Sequence, residues 1–163
     1  MQCLKTAVQH AGEKYIEQNA LQLRRGPYVL AACLSESVSP DPLQIRGTFI
    51  NLLDPNLAVI ADPQVEPGQQ VWLLDLQEVK GKPPLALAAA GRIETWNTAG
   101  SRLSYTVTSP ANIRVVTRIL LPAPPQKITI NGKPTKSIWD GPSRTVLIEH
   151  DGHPDPTEVV VAW

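Results

Sequence analysis

Two histidines and two aspartates crowd the segment Glu149-His-Asp-Gly-His-Pro-Asp155, where His150, Asp151, His153 and Asp155 carry the nitrogen and oxygen donors that a divalent cation takes. Their spacing is not that of a ligand set. Asp151-Gly152 followed by Pro154 and Pro156 is turn chemistry between two strands, so the sequence predicts a solvated loop, and neither a metal nor another cofactor is expected. The catalytic alternative is a small metal-dependent carbohydrate-active enzyme built on this loop. Other reaction signatures do not occur: there is no G-x-S-x-G turn, phosphate-binding loop, dinucleotide fingerprint or H-E-x-x-H pair. Asp54, Asp62 and Asp75 border turns or strand ends and are assigned no catalytic role. Cys3 and Cys33 lack partners at ligand spacing. Cys33 reads as a small buried hydrophobe, and a pairing with Cys3 is left open. The chain reads as a non-enzyme.

Flat side chains are the second chemical lead, because sugar rings lay their C–H faces on exposed Trp and Tyr. Strand alternation groups Trp72 with Leu74 and Leu76, Tyr105 with Leu103 and Val107, and Trp163 with Val159 and Val161, which predicts core positions for all three aromatics. Trp96 differs. Its same-parity neighbours are Arg92 and Glu94, and a short connection over Asn97–Ser101 would bring Arg102, Ser104 and Thr106 to the same face of the next strand. The expected carbohydrate site is therefore Trp96 with Arg92, Glu94 and Arg102, and Trp139 beside the Asp140-Gly141 turn is a second stacking candidate. The plainer alternatives are a Trp96 stacked on Arg102 as surface packing and a Trp139 that plugs the end of the fold.

The elements that must position these side chains are almost all strands. Of 163 residues 16 are proline, about twice the usual share of roughly 5%, and 42% are hydrophobic, a mix that favours short strands joined by proline-bearing turns. Period-two runs cover Ala20–Arg25, Tyr28–Leu34, Leu43–Leu52, Val71–Leu76, Leu85–Trp96, Leu103–Thr108, Ile113–Leu121, Lys127–Ile130, Thr145–His150 and Glu158–Trp163. About ten strands at this spacing predict an all-β, antiparallel, jelly-roll-like β-sandwich over residues 20–163. Asn131-Gly132 predicts a two-residue hairpin turn. Before the sandwich, Leu4, Ala7, Val8, Ala11, Tyr15 and Ile16 recur at helical spacing, which predicts a helix of about three turns within residues 1–18. Nothing divides the chain, so residues 1–163 read as one domain.

Fifteen basic against fifteen acidic residues give no net field, so neither nucleic acid nor an anionic membrane is an expected partner. The first ten residues lack the pattern of a secretion signal, and no apolar run reaches the 18 or so residues of a membrane span.

Several stretches together resemble a known region. Leu23-Arg-Arg-Gly-Pro-Tyr-Val-Leu-Ala-Ala32 with Glu36-Ser37, Leu43-Gln-Ile-Arg-Gly-Thr-Phe-Ile-Asn-Leu-Leu-Asp-Pro55 with Pro67-Gly68, and Trp72-Leu-Leu-Asp75 are similar to the β-rich region that follows the catalytic domain of bacterial glycoside hydrolases. Arg118-Ile-Leu-Leu-Pro122, Ile128-Thr-Ile-Asn-Gly-Lys133, Trp139-Asp140, Thr145-Val-Leu-Ile148 and Val159-Val-Val161 resemble the last strands of the C-terminal sandwich of those enzymes. The resemblance spans most of residues 21–163. It implies a non-catalytic accessory module that binds polysaccharide or oligosaccharide or packs on a catalytic domain partner, in an extracellular or periplasmic setting. It carries over no catalytic residue, and 163 residues leave no room for a barrel-sized catalytic domain beside the sandwich.

Overall fold

Leu4, Ala7 and Val8 line one side of a helix, α1 (Gln2–His10), which stops before Ala11 and Tyr15, short of the apolar spacing. Gly12 causes the stop. It adopts a left-handed φ of +78°, and the Gly12 and Glu13 amides bond back to the Gln9 and Val8 carbonyls in place of a further turn. Tyr15 lies past the helix under Lys5, whose Nζ is 5.3 Å from the ring centre. The computed structural model describes residues 2–15, 17–36 and 39–163, so Ile16 and Ser37 lie outside the described residues.

The remainder is strand and turn. The N-terminal half holds β1 (Ala20–Arg25), β2 (Tyr28–Cys33), β3 (Leu43–Gln44), β4 (Thr48–Asn51), β5 (Val59–Ala61), β6 (Gln64–Val65) and β7 (Gln70–Asp75). The C-terminal half holds β8 (Leu85–Ala89), β9 (Arg92–Ala99), β10 (Arg102–Thr108), β11 (Arg114–Leu120), β12 (Lys127–Ile130), β13 (Lys133–Pro134), β14 (Ser137–Asp140), β15 (Thr145–Asp151) and β16 (Thr157–Ala162). All pairings are antiparallel. They form a front sheet β1-β2-β7-β4-β5, a middle sheet β14-β15-β11-β8, a rear sheet β13-β12-β16-β10-β9 and a short pair β3-β6. The expected all-β, sandwich-like fold with one short helix is what the chain adopts.

More strands form than the ten or so runs predict: glycines cut two of those runs, and four short strands, β5, β6, β13 and β14, form outside them. Gly47, at φ +131°, separates β3 from β4. Gly91 sits in the turn from β8 to β9 and carries the chain from the middle sheet to the rear one; a Cβ there would lie 2.6 Å from Val107 Cγ2. Asn131-Gly132 behaves as its sequence predicts: φ is positive at both residues, +48° and +77°, and Ile130 pairs with Lys133 across the turn.

Three apolar layers hold the sheets together. Val29, Cys33, Phe49 and Leu73 of the front sheet pack with Ile45 and Val65 beside the short pair. On the opposite face, Ile50 and Leu74 meet Val116 and Leu147 of the middle sheet. The largest layer joins the other face of the middle sheet, through Val115, Ile119, Val146 and Ile148, to Leu103, Tyr105, Val107, Val159 and Val161 of the rear sheet. The middle sheet therefore buries both faces, which explains why Val115–Ile119 and Thr145–Ile148 are buried without a break.

Candidate functional site

The three side chains expected to frame Trp96, those of Arg92, Glu94 and Arg102, do not assemble around it. In the β9–β10 hairpin Ala99 pairs with Arg102, so only Gly100 and Ser101 form the turn, shorter than the predicted Asn97–Ser101 connection. Shortening the loop shifts the register by an odd number of residues and changes which side chains share a face. Trp96 consequently stands opposite Tyr105, on the face that carries Leu103 and Val107, and is half-buried against the core. A register shift between Thr106 and Val107 sends Ile93 to that core face too. Arg92 and Glu94 remain exposed, with Thr108 Oγ1 donating to Glu94 Oε1 at 3.2 Å. Arg92 pairs with Thr108 and Arg102 with Ala99, which puts the two arginines at opposite ends of the hairpin, roughly 20 Å apart at strand rise.

Trp139 is also turned inward. It pairs with Val146 at the edge of the middle sheet and packs half-buried against the same core.

The exposed aromatics are elsewhere, and one corrects an expectation. Trp72 does share a face with Leu74, as alternation requires, but the middle sheet covers Leu74 and stops short of Trp72, which is 42% exposed. Parity assigns a face; only the neighbouring sheet decides how far along that face the cover reaches. Tyr28, also 42% exposed, pairs with Leu74 and lies diagonal to Trp72, with ring centres 6.4 Å apart at 54°. Tyr105 is buried as predicted, and Trp163 packs on the rear core.

Tyr28 and Trp72 form one wall of a cleft of about 540 Å³ where the front and middle sheets part. Leu53, Asp54, Ala88 and Arg114 contribute to the rest of its lining. Asp54 is placed by the tight β4–β5 turn: its Oδ1 accepts the Asn56 amide at 2.7 Å and its carbonyl accepts the Leu57 amide at 2.8 Å. Arg114 Nη2 donates to Glu149 Oε2 at 2.6 Å and its Nη1 donates to the Pro55 carbonyl at 3.2 Å. The hydrogen bond and charge of each partner raise the Arg114 pKa and lower that of Glu149, so both stay ionised. Of the five guanidinium donors two are engaged in these bonds. The cleft thus sets a bent aromatic surface beside one carboxylate and one guanidinium, an arrangement suited to a ligand with flat apolar faces and hydroxyl edges. Sequence reading missed it because β2 and β7 are distant in the chain, and nothing local shows that they are neighbours.

The histidine loop is built by bonds between side chains and backbone. His150 Nδ1 is 2.7 Å from the Asp151 carbonyl oxygen, the Asp155 amide donates to His153 Nδ1 at 3.1 Å, and the His153 amide donates to Ser109 Oγ at 3.2 Å. Among the described residues no three His, Cys, Asp or Glu side chains converge on a point where a metal ion would sit. Asp75 is buried in an ion pair, its Oδ2 accepting from Arg24 Nη1 at 2.7 Å. Both cysteines are free thiols, Cys33 buried and Cys3 exposed. No described helix is long and apolar enough to cross a membrane. No protein-family model matches the chain, and comparison with curated proteins finds no relative.

Proposed function

We propose that the chain is a non-catalytic accessory module of a carbohydrate-active protein and that it contacts glycan in the cleft between the front and middle sheets. The observation that carries this reading is the Tyr28–Trp72 pair: two large aromatics, each 42% exposed, set side by side at a cleft mouth rather than buried. Water-exposed aromatic faces cost free energy unless something covers them, and the C–H face of a pyranose ring does so at little conformational cost. Asp54 and Arg114 then accept from and donate to ring hydroxyls, which favours a hydroxylated ligand over a purely apolar one. The resemblance to the β-rich region of glycoside hydrolases agrees with a glycan ligand.

The test is retention of the purified chain on a panel of soluble and insoluble plant and microbial polysaccharides, with product release followed on the same samples. One class of polymer should be retained without product, and Trp72→Ala should weaken retention about tenfold, the loss expected for one aromatic contact. No retention by any polymer, or unchanged retention in a folded Trp72→Ala protein, would overturn the glycan site; released product would overturn the non-catalytic reading.

A further inference from the structure

The front sheet carries a second concavity on the same face, beside the cleft and sharing none of its lining residues. Leu21 and Leu23 on β1 and Leu30 on β2 are 66%, 61% and 47% exposed, with Leu23 opposite Leu30 and Leu21 opposite Ala32. Together with Gln70 they line a groove of about 370 Å³ whose lining holds no charged side chain. This surface continues the contact between front and middle sheets: Leu30 pairs with Trp72, and two residues along β7 Leu74 is buried beneath Val116 and Leu147. One apolar face is thus covered at one end and bare at the other. Exposed apolar patches of several hundred Å² mark contact sites.

The same chain contains an apolar element with nothing to cover. In α1 the stripe of Leu4, Ala7 and Val8 buries no residue fully, and Leu4 is 62% exposed. A nine-residue helix is marginal in water without packing. Its length, about 13 Å at 1.5 Å per residue, matches the width of β1, β2 and β7, about 10 Å between outer strand axes plus their side chains. Within its own chain α1 makes a polar contact with the segment that follows it, Lys5 Nζ lying 2.9 Å from Glu17 Oε1, while Leu4 stays exposed.

We propose that α1 of a second copy lies in this groove, and that the exchange is reciprocal, giving a two-fold dimer. A two-fold axis makes each copy contribute one helix stripe and one groove, so every apolar contact is buried twice, toward the roughly 800 Å² per partner of a stable interface. The aromatic cleft is a separate concavity, and the dimer stands whether or not that cleft holds glycan.

Light scattering across a dilution series, together with thiol cross-linking, tests this. Cys3 is exposed on α1 and Cys33 is buried, so a Leu30→Cys variant places one new reactive thiol in the groove. Mild oxidation should give a disulfide-linked dimer that Cys3→Ser abolishes. Leu4→Lys and Leu23→Lys should each raise the dimer dissociation constant tenfold or more while the circular dichroism spectrum is unchanged; should Leu23→Lys not fold, Leu4→Lys decides alone. A monomer at every concentration, a cross-link confined within one chain, or a dimer indifferent to Leu4→Lys would each overturn the exchange.

Discussion

Trp96 and Tyr105 stand directly opposite one another across the β9–β10 hairpin, with ring centres 5.3 Å apart and planes inclined at 33°, on the face that closes the rear core. Trp96 therefore acts as a lid on the core. Trp96→Ala should cost about 2 kcal/mol of unfolding free energy in urea, below the 3–5 kcal/mol of a fully buried ring because Trp96 is only half-buried. Glycan retention by the folded variant should equal that of the parent, and a loss would return the sugar contact to this edge.

Tyr105 gives the opposite expectation. Burial holds its phenol far above the ordinary value, with the Thr117 hydroxyl pulling it only partly back, and neither hydroxyl closes a hydrogen bond of normal geometry. Removing an unsatisfied buried hydroxyl removes a cost. Tyr105→Phe should leave stability unchanged or raise it by up to about 1 kcal/mol, read as a shifted urea midpoint at constant slope. A measurable loss of stability would mean that the hydroxyl is bonded.

Gly152, between His150 and His153, is fixed by crowding. A Cβ there would meet the Pro110 carbonyl oxygen at 2.4 Å, and the Gly152 amide donates to the Ile113 carbonyl at 2.7 Å. Gly152→Ala should destabilise by about 3 kcal/mol, since the clash is with backbone that cannot swing aside. Thermal melts of the two proteins would show it, and equal melting temperatures would contradict the close approach.

Arg114 and Glu149 give a prediction in pH. Arg114 lowers the Glu149 pKa below the ordinary glutamate value of about 4.3, so the pair's contribution is complete above that value and fades as pH falls through the lowered one. In Arg114→Gln, the Glu149 carboxyl should titrate at its ordinary value by NMR. The stability gap between parent and variant should be constant from neutral pH down to about 5 and close below 4. Both groups are largely exposed, so the gap itself should be small and shrink with added salt.

Much of this architecture was legible in local pattern. β1 and β12 have the bounds that alternation alone sets, and the Asn131-Gly132 turn follows from two residue types that tolerate positive φ. The short strands β5, β6 and β13 were not legible, because two or three residues are too few to show a period, and β14 reads with the Asp140-Gly141 turn that follows it. The site was hidden for a different reason. Whether Trp96 faces solvent turns on one hairpin's loop length, and whether Trp72 does turns on where a sheet from the other half of the chain ends. Both are pairing facts, which residue order does not contain.

The two-sided burial of the middle sheet sets how the molecule exchanges its amide hydrogens with solvent. β11 and β15 belong to two of the three apolar layers, one on each face, so their amides should open only with unfolding of the whole chain, and deuterium should enter them last. β1 pairs on one side only and frays through local openings, so deuterium should enter it early. A partner settling on the groove would then slow uptake at that one rim while the midline, already closed, would register nothing.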